Sequence, residues 1–471
     1  MDTRFIAGYL AISLAFASNH LFAQAGTSSG SVGAARAGFH RISSTGEYLM
    51  PEPDFFRVEE FVNYHRHDLP LPAKGNRVRL DVQNLELKKG NTVYQFGITT
   101  PRALESKKLP PLNLVLVIDE SGSMSGDKIA NLKSALHAFI ERFRENDRIT
   151  IVGFEHEARV IIEAEEKTNV GKISRAIDDI HAEGSTNLHA GLMRGYKMSL
   201  KHFDPERTNR MIFWTDGNAN VGVTESAEIA RDSKRCIKRG ISFVTIGLGV
   251  DMNNGLLREI ADSGRGLMHY IGDAKDIRKT FIDEIDSVLA PAARKVRLKI
   301  SFSGDLETPK IFGYEKDYQK KKTPNGYELK FKLDDLNHGA TQVVLARLPA
   351  GAGKDVAGRA SLTYKDAITG EECSASVDLD ELPVSDEARR SVKRNYAIAL
   401  VAQSIQSAAK ASNDNDNPEA EKKLKQGVEK AKKICDSRDD KNLKRMIKIS
   451  KEYRNKLSQS LKLARRRSDL K

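Results

Sequence analysis

The sequence predicts an α/β protein whose central part is a doubly wound, mostly parallel sheet. Two patterns between residues 112 and 289 support this fold class. Apolar runs such as 112–118 (LNLVLVI) are typical of strands that are buried on both faces. Stretches with apolar residues at helical spacing, such as 127–143, alternate with these runs along the chain. This alternation favours a parallel sheet with helices on both faces.

The elements of this central part follow one another regularly. We predict strands at 112–118, 148–154, 159–164, 210–215, 241–248 and 267–271. We predict helices at 127–143, 170–181, 188–202, 226–239, 254–263 and 274–289. The single tryptophan, Trp214, lies in a predicted buried strand, so we expect it in the core.

The segments that flank the central part are β-like. Residues 77–99 alternate apolar and polar side chains, and the predicted strands after residue 290 show the same pattern without helices between them. We hypothesise that the two flanks form one sandwich into which the α/β domain is inserted. The later strands are predicted at 296–302, 327–332, 341–348, 360–364 and 375–379.

The positive charge lies at one end of the chain. There are 76 Lys and Arg residues against 64 Asp and Glu residues, a formal net charge of +12. Residues 386–471 hold 24 of the basic and 12 of the acidic residues, so they account for the whole surplus. The remaining body is formally neutral, which excludes a nucleic-acid binder of the uniformly basic type. For the lysine-rich helices of this tail, three interpretations stay open: a solvated face, contact with an anionic surface, and, least favoured, nucleic-acid binding.

The N-terminus has the features of a signal peptide. Residues 5–17 form an uncharged, mostly apolar run, which is too short for a membrane-spanning helix, and Ala23-Gln24-Ala25 fits a cleavage site. We therefore expect an exported protein that is periplasmic, on the cell surface or secreted. An uncleaved anchor and a buried helix stay open as alternatives. The predicted organisation is a signal peptide at 1–25, a flexible N-terminus at 26–50, a helix and β segment at 51–110, the α/β domain at 111–290, a β-rich module at 291–385 and a basic helical tail at 386–471.

Five oxygen-bearing side chains fall at the ends of predicted elements. Asp119, Ser121 and Ser123 follow the first buried strand, Thr186 precedes a helix, and Asp216 follows the strand at 210–215. The carboxyl ends of parallel strands meet at one edge, where open α/β sheets bind ligands. A hard cation such as Mg²⁺ requires oxygen ligands of this kind.

In these residues the chain resembles the von Willebrand factor type A domain, over about residues 112–289. The family's metal ion-dependent adhesion site combines a D-x-S-x-S loop with a distant Thr and a distant Asp, and all five positions match in order. The resemblance implies direct metal binding by Ser121 and Ser123, and by Thr186 when a ligand is bound. Asp119 and Asp216 would bind directly or through water. The cation would be Mg²⁺, with Mn²⁺ or Ca²⁺ as alternatives, and its sixth position would accept an acidic residue of a partner protein.

The resemblance extends to a group of bacterial exported proteins with this domain. Residues 57–64 (RVEEFVNY) look like the N-terminal segment of that group, and Asn209-Arg210 and Asn220-Val221-Gly222 also fit it. The β flanks are similar to inter-alpha-trypsin inhibitor heavy chains at the level of architecture. The C-terminal helices match less well, so no role is transferred to them.

Other polar residues near the site receive weaker roles. His156 and His189 are candidates for a rim that contacts the partner. Glu120 is expected to be a solvated loop residue that points away from the metal. His65 and His67 lack a zinc-binding pattern and are expected at the surface or in loops.

The sequence favours a binding protein. We find no carboxylate pair and no Ser/His/Asp order that stands out, so we do not expect an enzyme. The first hypothesis is an exported, metal-dependent adhesion or assembly module that captures an acidic residue of a partner. The alternative is an assembly subunit of an enzyme or ATPase complex that uses the same metal site.

Overall fold

The computed structural model of the chain describes residues 41–42, 48–88, 90–101, 110–236, 241–248, 254–263, 267–271, 291–304, 306–315, 317–349, 357–380, 382, 385–436 and 440–468. The predicted signal peptide at 1–25 and the predicted helix at 274–289 lie outside the described residues. Among the helices within these ranges, none has the length and the apolar character needed to cross a bilayer.

The N-terminal part contains short strands and an α-helix. These elements pack against the C-terminal helices and the β sandwich. Tyr48 and Met50 are buried, and the Tyr48 amide donates to the Ser460 hydroxyl over 2.9 Å. The predicted flexible segment at 26–50 is therefore wrong at its C-terminal end, because residues 48–50 are fixed by the C-terminal helices. The elements are β1 (Arg41–Ile42), β2 (Tyr48–Leu49), α1 (Val58–Asn63), β3 (Arg79–Glu86) and β4 (Thr92–Thr99).

The α/β domain contains a six-stranded sheet, as the sequence predicts. The strands are β5 (Leu112–Asp119), β6 (Arg148–Phe154), β7 (Ala158–Glu166), β8 (Thr208–Thr215), β9 (Ser242–Leu248) and β10 (Leu267–Ile271). Their order is β10-β9-β8-β5-β6-β7. All neighbours are parallel except β7, which runs antiparallel to β6 at the edge. The doubly wound α/β fold class is confirmed.

Helices cover both faces of this sheet. Along β5, Leu114 and Leu116 belong to the core on one face, whereas Val115 and Val117 belong to the core on the other. This division explains the unbroken apolar run at 112–118, and Trp214 is buried in the first of the two cores, as predicted. One face packs α2 (Asp127–Ile140) and α3 (Val170–Asp178), and the other packs α4 (Leu188–Lys201), α5 (Ser226–Cys236) and α6 (Asn254–Ser263).

The flanking strands form the shared sandwich that the sequence analysis hypothesised. Strand β4 pairs with β16 in antiparallel register, so one sheet joins segments from before and after the α/β domain. Its order is β12-β16-β4-β3, and the facing sheet has the order β13-β14-β11-β17-β18 with β15 paired to β11. The later strands are β11 (Pro291–Ser303), β12 (Lys310–Phe312), β13 (Tyr318–Thr323), β14 (Gly326–Lys332), β15 (Leu336–Asn337), β16 (Thr341–Leu348), β17 (Ala357–Asp366) and β18 (Glu372–Asp378).

The C-terminal region is a packed helical layer rather than a tail. The helices are α7 (Asp386–Asn413), α8 (Asn417–Ile434) and α9 (Lys441–Ser468). Val392, Leu424 and Leu457 are fully buried in a core that also contains Phe56 and Phe61 from the N-terminal part. The lysines that give this region its charge, such as Lys422 and Lys425, lie on the exposed face. The predicted basic tail is thus amphipathic, with one face committed to the core.

A polar network is buried where this layer meets the sandwich. His67 accepts from the Asn395 amide at Nδ1 over 3.2 Å, which leaves Nε2 to donate to Asn63 Oδ1 over 3.1 Å. Asn395 also donates to Gln95 Oε1 over 2.7 Å. The His65 ring lies beside that of His67, with centroids 4.6 Å apart and the planes tilted by 59°. Both residues lie in the loop after α1, which agrees with the expectation of loop histidines. The expected surface position is wrong, because both rings are buried and α7 covers that of His67.

Burial of these two rings predicts a pH dependence of stability. Burial lowers the pKa of His67 to about 3, with the positive charge of Arg394 acting in the same direction. Burial also lowers the pKa of His65 well below its usual value. Both residues stay neutral in the folded protein, whereas the unfolded chain binds protons once the pH falls below about 6.5. The His67 ring should therefore reduce the free energy of unfolding by up to ~1.4 kcal/mol per pH unit as the pH falls from 6.5 towards 3, and the His65 ring should act in the same direction.

We expect His67→Gln to have a shallower decline of unfolding free energy between pH 6.5 and pH 4 than the native chain. Urea titrations followed by circular dichroism measure this slope. The matched control is His181→Gln, at an exposed position, which should leave the slope unchanged. Equal slopes for the native chain and His67→Gln would contradict a neutral buried His67.

Candidate metal-ion site

The site lies at the carboxyl edge of the α/β sheet, where β5 and β8 end side by side. Ile118 pairs with Trp214, so the next residues, Asp119 and Thr215, are neighbours. Asp119 is fully buried, with Oδ1 accepting from the Ser121 amide over 2.9 Å and Oδ2 accepting from the Thr215 hydroxyl. Both carboxylate oxygens are thus held in place. Burial raises the pKa of Asp119, and the hydrogen bonds from Ser121 and Thr215 oppose that rise.

The loop after β5 is anchored to its neighbours by main-chain hydrogen bonds. Residues 122–124 form one 3₁₀ turn, and the Met124 side chain is fully buried in the core. The Glu120 amide donates to Phe154 O over 2.8 Å, and the Gly122 amide donates to Gly184 O over 3.1 Å. These contacts fix the loop between strand β6 and the segment that carries Thr186. The serine hydroxyls therefore have a defined direction.

The two serines and Asp216 form a continuous set of oxygen atoms. The hydroxyls of Ser121 and Ser123 lie 3.0 Å apart, and Ser123 donates to Asp216 Oδ1 over 2.7 Å. Side chains from the loops after β5 and β8 thus converge at one point. Hydroxyl and carboxylate oxygens are the ligands that Mg²⁺ and related hard cations prefer.

Thr186 enters the same cluster from a third loop. Its amide donates to the Asn220 side chain over 2.7 Å, and the Asn220 amide donates back to Thr186 O over 3.0 Å. A Cβ atom placed on Gly217 would lie 3.5 Å from Thr186 Oγ1 and 3.8 Å from Ser123 Oγ, so both hydroxyls flank residue 217. The structure therefore brings all five sequence-predicted positions to one place.

A lysine that the sequence analysis did not single out also reaches this cluster. Lys128, in the first turn of α2, forms an ion pair with Asp216 Oδ2 and donates to Ser123 O over 3.1 Å. The Asp216 side chain is fully buried, whereas that of Lys128 is about one third exposed. The Lys128 ammonium group thus shares the Asp216 carboxylate with the Ser123 hydroxyl. Its position five residues after Ser123, at the start of a predicted helix, was the only signal in the sequence.

The donor set fits a hard divalent cation. Two carboxylates and three hydroxyls converge, and within the described ranges no group of three His, Cys, Asp or Glu side chains forms an alternative metal cluster. Asp119, Ser121, Ser123, Thr186 and Asp216 are the residues that would hold the ion. Thr215 would act by positioning Asp119.

Glu120 differs from its prediction. It is buried, forms an ion pair with Arg159 over 2.7 Å, and lies directly over Gly153, where a Cβ atom would be 1.9 Å from Glu120 Oε2. Burial raises the pKa of Glu120 despite the charge of Arg159. The expectation of a solvated loop residue is wrong, because the side chain folds back over β6 instead of entering solvent.

The two histidines proposed for the rim occupy different positions. His156 is exposed, its Nδ1 lies 3.5 Å from the Ser185 hydroxyl, and its carbonyl accepts from the Asn187 side chain over 2.9 Å. It therefore adjoins the loop that carries Thr186. The His189 ring faces α5, where Nε2 lies 3.1 Å from Asp232 Oδ2. A rim role stays a prediction for both residues, and the geometry favours His156.

Comparison with known proteins agrees with this fold. The sequence model of the von Willebrand factor type A domain matches residues 113–283. The Escherichia coli protein YfbK is 31% identical over 280 residues, which cover 57% of this chain and 48% of YfbK. The Synechocystis protein sll0103 is 32% identical over 210 residues, covering 43% of this chain and 48% of sll0103.

More distant similarities concern a vertebrate protein and a solved structure. Human inter-alpha-trypsin inhibitor heavy chain H2 is 27% identical over 196 residues, which cover 40% of this chain and 21% of the heavy chain. A solved von Willebrand factor type A protein from Catenulispora acidiphila superposes with a TM-score of 0.51 at 15% identity. That alignment covers 80% of this chain and 98% of the other, and it supports the fold alone.

The match to bacterial relatives is partial in length. The chain spans about half the length of YfbK and of sll0103. The domain match nevertheless coincides with the observed α/β sheet and with all five positions of the oxygen cluster. The chain therefore contains a von Willebrand factor type A domain, which is inserted into a β sandwich.

Proposed function

We propose that this chain is a metal-dependent protein-binding module that captures an acidic residue of a partner. Domains of this family commonly mediate protein–protein interactions, and some use a metal ion-dependent adhesion site. The observation that carries the proposal is the convergence of Ser121, Ser123 and Asp216 within hydrogen-bond distance, beside Thr186.

The chemistry of this donor set supports capture of a carboxylate. Asp119 has both oxygens engaged by Ser121 and Thr215, so its role is to orient the loop or to bind through water. The neutral hydroxyls of Ser121, Ser123 and Thr186 then supply most of the direct contacts. A divalent cation with so few carboxylate ligands keeps positive charge and attracts an anionic group. Mg²⁺ is the first candidate, with Mn²⁺ and Ca²⁺ as alternatives.

The sequence also indicates where in the cell the protein would act. The signal-peptide pattern at 1–25 supports export, which suits an adhesion or assembly module outside the cytoplasm. A binding role is proposed over an enzymatic one, because the hydroxyls and carboxylates of the cluster are the oxygen ligands that a hard cation prefers. The exposed lysines of α8 are proposed as a second, electrostatic contact with an anionic surface.

A second candidate is an assembly subunit of an enzyme or ATPase complex that uses the same site. The insertion of the α/β domain into a larger scaffold of sandwich and helical layer favours it, because such a scaffold can present several surfaces at once. An uncleaved N-terminus on the mature protein would support this candidate over an exported module.

Removing single oxygen ligands should weaken metal binding without unfolding the domain. We expect Thr186→Val and Ser123→Ala each to raise the dissociation constant for Mg²⁺ by about tenfold or more, because each loses one ligand of a six-coordinate ion. Isothermal titration calorimetry measures this change, and circular dichroism verifies the fold.

The matched control for these variants is Thr363→Val, on the exposed face of β17. It should bind Mg²⁺ like the native chain. Unchanged affinity in both Thr186→Val and Ser123→Ala would refute the proposed site.

Lys128 should compete with the cation for Asp216. We expect Lys128→Met to lower the Mg²⁺ dissociation constant by about threefold to tenfold, because it removes a positive charge in contact with a ligand carboxylate. The gain should shrink at high salt, since the ammonium group is partly exposed. Lys133→Met is the control on the same helix, and its amine contacts Asp178 O instead. Weaker Mg²⁺ binding by Lys128→Met would show that the lysine supports the site.

A further inference from the structure

A second polar cleft lies at the opposite edge of the α/β sheet. Its volume is about 770 Å³, and it is bounded by the first residues of β8 and β9 and by parts of β11 and the turn after β17. The metal-ion cluster follows the carboxyl ends of the strands, whereas this cleft adjoins their amino ends. The two sites are therefore separate, and the cleft plays no part in the function proposed above.

Arg210 is a buried arginine at this cleft. It is only 5% exposed, and its Nε has no hydrogen-bond partner among the residues that the structure describes. The pKa of Arg210 is lowered to about 9, mainly by burial and also by the charge of Arg294, while the charge of Asp335 opposes both effects. A buried guanidinium whose Nε has no hydrogen-bond partner is unfavourable by itself. Such a group is a strong candidate for binding an anion.

A bulge in β11 brings further positive charge to the same place. The register between β11 and β17 shifts between Arg294 and Arg297, and Lys295 takes a left-handed backbone conformation with φ of 54°. Arg294 lies opposite Lys365 across this pair of strands. Bulges of this kind redirect side chains and are common beside functional sites.

The charges around the cleft do not balance. Its lining includes six basic and three acidic side chains. Three of these are engaged elsewhere: Arg207 with Asp204, Lys234 with Glu259, and Asp366 with Arg77. The remaining basic side chains are Arg210, Arg294, Lys295 and Lys365, and the remaining acidic ones are Glu206 and Asp335. The lining therefore carries an excess of two positive charges.

We propose that this cleft binds a phosphate group, either free or carried by a small molecule, through Arg210 and Arg294. A phosphate carries ≈ −1.5 to −2 charges near neutral pH, which matches the excess, whereas a single carboxylate would leave one positive charge uncompensated. Guanidinium groups recognise phosphate oxygens in a paired, planar geometry. The volume of the cleft falls in the range of small-molecule sites.

Calorimetric titration of the full-length chain with inorganic phosphate, in the absence of divalent cations, tests this proposal. We expect saturable binding, and a dissociation constant at least ten times higher in Arg210→Met and in Arg294→Met. Arg359→Met, an exposed arginine of β17 that makes the same change in net charge, should bind like the native chain.

Two further ligands identify the kind of anion that the cleft binds. Tighter binding of glycerol 3-phosphate than of inorganic phosphate would identify an organic phosphate as the ligand, and the reverse would identify free phosphate. Succinate binding as tight as phosphate would overturn the assignment to phosphate.

Absence of saturable phosphate binding, or equal binding by the native chain and both methionine variants, would overturn the site. Thermal unfolding verifies that the variants are folded, and Arg294→Met, at a half-buried position, keeps the test valid if Arg210→Met fails to fold.

Discussion

The pairing of β4 with β16 is the constraint on which the rest of the structure depends. The two strands align from Thr92 opposite Leu348 to Thr99 opposite Thr341, although the whole α/β domain lies between them in sequence. Every residue of β4 is buried. One face of its sheet contributes Phe96 to the sandwich core, and the other contributes Val93 to the core of the helical layer. Strand β4 thus joins the sandwich to the helical layer, and the α/β domain follows it in the chain.

This pairing also fixes the entry and exit of the α/β domain. The Thr100 amide donates to Ala340 O over 3.0 Å, and the Gly339 amide donates to Pro101 O over 2.7 Å. A second attachment lies elsewhere on the domain, where Arg258 of α6 forms a buried, two-armed ion pair with Glu60 of α1. A buried pair of this geometry is strongly directional, and removing one partner leaves an uncompensated charge. The metal-ion cluster is consequently carried by a domain that is anchored at two places.

Much of this arrangement was predictable from sequence, where local patterns carry the information. The apolar run at 112–118 and its partners specify the sheet, and strand ends specify the positions of Asp119, Thr186 and Asp216. The contact between Asp119 and Thr215 would follow from the parallel register alone. The role of Lys128 would not, because it depends on the path of one long side chain from α2 to Asp216.

The helical layer shows the limit of sequence patterns most clearly. Its net charge indicates an exposed tail, yet its buried face is made of small and apolar residues such as Ala397 and Leu424. Their partners include Tyr48 and Phe56, which are far away in sequence. The burial of His67 has the same origin, because α7, which carries Asn395, covers its ring only in the folded chain. Net charge describes the outer surface of an amphipathic helix and says nothing about its inner one.

The central claim is that a cation held by this cluster binds a carboxylate of a partner. It is tested most directly by the water-proton relaxivity of the Mn²⁺-loaded chain during titration with a short peptide that contains one glutamate. A carboxylate that replaces a water molecule on the ion should lower the relaxivity, and the same peptide with glutamine should leave it unchanged. Equal effects of the two peptides, or no effect of either one, would contradict the account.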